Sequence, residues 1–108
     1  MVKKEEFYKL HAGFCKSIFN PKRLAIIDVL RRESMNVNKI AERLETSQSN
    51  ISQHLGILKT KGLVSSSIKG SCTYYHITSQ KVFEALDMVN KVVEEKIRHD
   101  KKIGKSVQ

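Results

Sequence analysis

The hydrophobic period of this 108-residue chain changes abruptly at Gly62. Upstream, apolar residues recur every three or four positions, as on one face of a helix; downstream they alternate, as on one face of a strand. Ile51, Leu55 and Leu58 form the last helical stripe before the change, and Ser47 is placed to cap its start. Gly62 falls where a left-handed helix terminus is expected. Leu63–Lys69 and Thr73–Ile77 then alternate and are rich in β-branched and aromatic residues, with Gly70-Ser71 between them, which predicts a β-hairpin. A helix that passes directly into a hairpin narrows the choice of architecture more than any other feature of the chain.

The flanking pattern completes the order. Phe7, Leu10, Phe14 and Ile18 predict a first helix over residues 3–19. Asn20-Pro21 ends it and caps the next, because Asn is a good N-cap and Pro suits the first helical position. Leu24, Ile27 and Leu30 mark a second helix ending near Arg32, and Met35–Asn38 read as a short connection. Val37, Ile40, Ala41 and Leu44 predict a third helix, followed by the turn Glu45-Thr46-Ser47. Thr78-Ser79 cap a last helix whose apolar residues are Val82, Leu86, Val89, Val93 and Ile97, a narrow stripe suited to a partner helix. The expected fold is mainly α (α+β), with the order α-α-α-α-β-β-α of a winged helix-turn-helix. The length fits one domain over 1–108, with helices at 1–19 and 79–103 flanking the middle and a polar, frayed tail over 98–108.

Charge indicates what such a fold would meet. Twenty Lys and Arg against 11 Asp and Glu give +9, which favours a polyanionic partner. Residues 21–80 carry nine Lys or Arg and four acids, a net +5, and each flank contributes +2. Within the middle, Ser47, Gln48, Ser49, Asn50, Ser52, Gln53 and His54 give the fourth helix a polar edge, while Ile51 and Leu55 face inward. The DNA major groove admits one helix, and Gln and Asn can pair with adenine through two hydrogen bonds, each pair discriminating by roughly 1–3 kcal/mol. Lys59, Lys61 and Lys69 supply positioning charge, and Ser71 and Thr73 give the hairpin small hydroxyls for the phosphate backbone. The expected partner is double-stranded DNA.

Other classes of function find little support. There is no run of about 20 apolar residues to cross a membrane and no apolar leader after Met1, so a cytoplasmic location is expected. Cys15 and Cys72 are too few and too far apart for a disulfide framework. Gly-rich phosphate loops, paired carboxylates and nucleophile motifs are absent, so no enzyme is expected.

Several fragments together resemble the ArsR/SmtB family of bacterial and archaeal repressors over about residues 5–98. They are Phe19-Asn20-Pro21-Lys22-Arg23-Leu24-Ala25-Ile26-Ile27, Ser49 to Leu58 with Ser52-Gln53-His54-Leu55 at its centre, Lys61-Gly62-Leu63-Val64, and Lys69-Gly70 followed by Tyr74-Tyr75-His76-Ile77. The resemblance implies a homodimer joined through the first and last helices, an imperfectly palindromic operator, and release by an inducer, often a metal ion. Dimer symmetry would set two reading helices in successive major grooves.

The metal patterns of that family are not matched. Where its sensors often carry Cys-Val-Cys, this chain has Asn36-Val37-Asn38, and amide side chains are poor ligands for thiophilic ions. The last helix offers Asp87, Glu94, Glu95, His99 and Asp100, but Val89 stands where an Asp-x-His pair would need His. No cofactor is expected, and the inducer is left open. His11 and Cys15, four apart on one helix face, are a secondary metal candidate, and Cys15 and Cys72 are secondary redox candidates, with Cys72 expected to be exposed at the hairpin tip. Two competing readings stand beside a dimeric repressor: an architectural DNA-coating protein without an inducer, and a winged-helix module that binds another protein.

Overall fold

A computed structural model describes residues 3–103. It contains α1 (Lys4–Ile18), α2 (Pro21–Val29), α3 (Val37–Leu44), α4 (Gln48–Thr60), β1 (Val64–Lys69), β2 (Cys72–Ile77) and α5 (Gln80–Ile103), which is the expected order. The chain falls into two units that meet in sequence between Thr78 and Ser79. The first holds α1–α4 and the hairpin, and the second holds α5.

Helix starts follow their capping residues. Asn20 Oδ1 accepts from the amides of Lys22 and Arg23 at 3.0 and 3.3 Å, with Pro21 at the first helical position. Asn36 Oδ1 accepts from Lys39 N at 2.8 Å, and Ser47 Oγ from Asn50 N at 3.1 Å. Each such cap contributes about 1 kcal/mol. Ser79 Oγ accepts from Lys81 N at 3.2 Å at the start of α5. α2 ends at Val29 rather than near Arg32: Leu30 N still makes the α-helical bond to Ile26 O, but Arg31 N bonds Asp28 O three residues back, a tighter turn that ends the helix.

In the first unit Ile26, Ile27, Ile40, Ile51, Leu55, Leu58 and Leu63 are fully buried. They come from α2, α3, α4 and the residue that leads into β1, so the helix-turn-helix and the hairpin share one core. Burial of each such side chain stabilises the fold by roughly 1.5–3 kcal/mol. Glu45 closes α3 in the left-handed region at φ 51°, which folds the chain tightly back into α4. Gly62 ends α4 at φ 78°, a backbone state that costs glycine little.

The strands pair antiparallel from Val64↔Ile77 to Lys69↔Cys72, leaving Gly70-Ser71 as a two-residue turn. Gly70 has φ 64° and Ser71 does not have a positive φ, the pattern of a type II′ turn. Met35 corrects the expectation that Met35–Asn38 only connect two helices. It is buried and forms an antiparallel bridge with Tyr75, through Met35 N to Tyr75 O at 3.1 Å and Tyr75 N to Met35 O at 2.8 Å. A single paired residue carries no alternating pattern, so the sequence gives no sign of it.

α5 continues through Arg98 to Ile103, so the first part of the expected frayed tail is helical; residues 104–108 lie outside the described residues. Lys96 and Asp100 form an exposed ion pair at 3.2 Å one turn apart within that stretch. Along α5, Phe83 and Leu86 are buried, whereas Met88, Val89, Val92, Val93 and Ile97 are exposed. No helix among the described residues is long and apolar enough to cross a membrane.

Candidate nucleic-acid interface

α4 divides cleanly around its axis. Ile51, Leu55 and Leu58 are buried, and Gln48, Ser49, Ser52, Gln53 and Gly56 are exposed on the opposite side. Five of the seven expected polar residues therefore sit at the surface at the start of α4: Ser47, Gln48, Ser49, Ser52 and Gln53. Ser47 Oγ lies 3.4 Å from Ser49 Oγ and also caps the helix, so its main use is local. Asn50 is half-buried, and its Oδ1 accepts from Thr46 Oγ1 at 3.4 Å.

His54 departs from the expectation that it belongs to the exposed edge. It is half-buried, and its Nδ1 accepts from Arg23 Nε at 3.2 Å. Arginine only donates, so the neutral ring must carry its proton on Nε2. Loss of hydration on burial disfavours the imidazolium, and the Arg23 and Lys22 cations oppose it further, so His54 titrates below the ordinary histidine value. Arg23 also donates from Nη1 to Ser17 O at 2.9 Å, which ties α1, α2 and α4 together. Sequence reasoning passed over Arg23 because partners 6 and 31 residues away leave no periodic trace.

The hairpin supplies the second element. Lys69 and Ser71 are exposed at its tip, and Thr73 is half-buried. Lys69 Nζ stands 5.8 Å from the centre of the Tyr74 ring, an attractive cation–π arrangement that orients the ammonium. Lys59 Nζ donates to Ser66 Oγ at 2.8 Å, so it braces α4 against β1 as well as adding charge. Between Glu45 and Glu84 the chain has no carboxylate at all, and this span covers the whole of α4 and the hairpin. A segment with hydrogen-bonding groups, Lys side chains and no acid of its own is suited to a phosphate-lined partner, and the nearest carboxylates, Glu42 and Glu45, line a cleft beside Ser47 and Gln48 at its start.

Gly56 was not singled out by the sequence. It sits in mid-helix on the exposed side, and a Cβ there would meet nothing within 4 Å of the protein. Glycine in an exposed helix interior costs about 1 kcal/mol relative to alanine, so packing within the chain does not explain it.

The sensor candidates fare differently. Cys72 is half-buried rather than exposed: it is the first residue of β2, and it borders a shallow cleft of about 290 Å³ together with Asn36, Val37 and Asn38 at the start of α3. Cys15 is also half-buried. His11 is exposed and its ring lies 6.0 Å from that of Phe7. Among the described residues, no group of three or more His, Cys, Asp or Glu side chains is gathered to hold a metal ion. Asn36, at the position of the family's first cysteine, spends its side-chain oxygen on the α3 cap, so these residues do not fit a thiophilic ion.

This arrangement, two helices at a tight turn followed by a two-stranded wing, defines the winged helix-turn-helix class of regulatory proteins. Residues 20–66 match the bacterial regulatory protein domain of the arsR family. Nodulation protein NolR of Rhizobium meliloti is 37% identical over 89 residues, covering 82% of this chain and 73% of that protein. The crystal structure of NolR from Sinorhizobium fredii superposes with a TM-score of 0.76 at 35% identity, covering 85% of this chain and 94% of the other. A homodimeric winged helix-turn-helix DNA-binding domain from Mycobacterium bovis superposes with a TM-score of 0.80 at 28% identity, covering 92% of each. The chain belongs to the arsR family of transcriptional regulators.

Proposed function

We propose that the protein is a homodimeric repressor that binds a palindromic operator in the cytoplasm and has no catalytic step. The observation that carries this reading is the acid-free span between Glu45 and Glu84, which joins the exposed polar side of α4 to a Lys-tipped wing. Gln48, Ser49, Ser52 and Gln53 read base edges, and Lys69 and Ser71 hold the backbone. The homodimeric relative from Mycobacterium bovis supports pairing, as does the exposed apolar surface: Phe7, Leu10 and Phe14 on α1, and Val89, Val92, Val93 and Ile97 on α5. Apolar stripes of that extent on so small a chain mark an interface, and a second copy supplies the matching surface. A two-fold pair sets its reading helices about 34 Å apart, one turn of duplex. Such a dimer acts by occupying promoter DNA.

Footprinting on the promoter upstream of the protein's own gene tests this. The expected result is a bounded footprint with two half-sites one helical turn apart. Protection of long tracts without edges would instead describe a coating protein, and absence of duplex binding at moderate salt would describe a protein-interaction module.

A further inference from the structure

A cleft of about 560 Å³ opens where the end of α1, the start of α2 and the end of α4 come together. Its charged lining residues are Lys16, Arg23 and Lys61, and no acid lines it. Arg23 is half-buried, and its two bonds go to uncharged acceptors, Ser17 O and His54 Nδ1. Among the described residues, none of the three cations is in an ion pair. A half-buried guanidinium that shares its cleft with two exposed ammonium groups and no carboxylate favours an anion. Two of the five N–H donors of Arg23 are engaged, which leaves three, in the forked geometry that suits an oxyanion. The start of α2 adds a favourable dipole, although its Lys22 and Arg23 amides are already taken by Asn20 Oδ1.

We infer that this cleft binds a small oxyanion of the phosphate type, held by Arg23 with Lys16 and Lys61, and that Arg23 passes its occupancy to α4 through His54. An anion drawing on the guanidinium competes with the Nε–His54 bond, and that bond is the polar tie between α2 and α4. Two sources share this chemistry: a phosphate of the DNA backbone, and a free phosphate or phosphorylated small molecule.

The first arm of the test titrates inorganic phosphate into ¹⁵N-labelled protein at fixed ionic strength, and does not depend on the reading as a DNA-binding repressor. The expected result is saturable movement of the Ser17, Lys22 and Arg23 amide signals and of the His54 ring. Lys16 and Lys61 are exposed, so the double variant Lys16→Ala, Lys61→Ala keeps the fold, and it should bind phosphate at least tenfold more weakly. The second arm measures duplex affinity against chloride concentration, with and without phosphate. A salt slope smaller by about 0.9 in the double variant, the contribution of one phosphate, assigns the site to the DNA backbone. An unchanged slope, with phosphate altering duplex affinity in the parent alone, assigns it to a free anion. Shifts that do not saturate, or that are equal in parent and variant, would overturn the inference.

Discussion

α4 and α5 each leave one side open to solvent, and the two open sides have opposite chemistry. α4 shows Gln48, Ser49, Ser52, Gln53 and a glycine, with no charge before Lys59. α5 shows Met88, Val89, Val92, Val93 and Ile97, flanked by charges of both signs from Lys91 to Asp100. Apolar contact is non-directional and scales with the area removed from water, so the α5 side suits a broad face that must be covered. Hydrogen bonds demand position, so the α4 side suits a partner whose donors and acceptors vary along its length. Exposure alone says only that something is missing; the chemistry of the exposed atoms says what.

The largest test of this contrast is Val93→Glu. A carboxylate in the α5 stripe should split the dimer, seen as a halved mass in sedimentation. Loss of paired attachment should then weaken operator binding by at least about a hundredfold. A variant that stays dimeric and binds as before would remove α5 from the pairing face. Next comes Gln53→Ala, for which loss of a two-bond base contact predicts about 5- to 150-fold weaker binding to the operator and little change on random duplex, in a fluorescence anisotropy titration. Equal loss on both duplexes would reduce α4 to a backbone contact.

A smaller effect is expected from pH. His54 binds its proton less readily in the folded chain than in the unfolded one. Stability is therefore greatest above the ordinary histidine value of about 6.5 and falls as pH drops toward the lowered value. Asn can accept from Arg23 without titrating, so His54→Asn should show a shallower fall in melting temperature between pH 7.5 and 5 than the parent. Identical curves would remove His54 as the cause. The smallest effect is expected from Lys69→Ala: a uniform, few-fold loss on every duplex, with a salt slope lower by about 0.9. A sequence-dependent loss would place the wing in a groove rather than on the backbone.

Much of this was legible in the sequence because it is written locally. Asn20 and Ser47 cap within three residues of where they stand, Gly62 and Gly70 mark their turns, and the stripe Ile51, Leu55, Leu58 fixes which side of α4 is buried. What escaped notice depends on chain segments far apart. Met35 meets Tyr75 and Arg23 meets His54, and neither pair leaves a periodic signature. The expectation for Cys72 failed in the same way: its position next to the hairpin turn suggested solvent, but the start of α3 lies beside it. The polar edge is exposed at Ser47, Gln48, Ser49, Ser52 and Gln53, whereas Asn50 and His54 lie at its half-buried border, where each side chain finds a partner.

The bridge between Met35 and Tyr75 has a consequence for engineering. It sews the segment ahead of α3 onto the far strand of the wing, so a cassette that moves α3 and α4 to another scaffold must carry the hairpin through residue 77 as well as α2, whose Ile26 and Ile27 lie in the same core. A graft of α3 and α4 alone would carry the letters of recognition but leave behind the seam that holds the page flat.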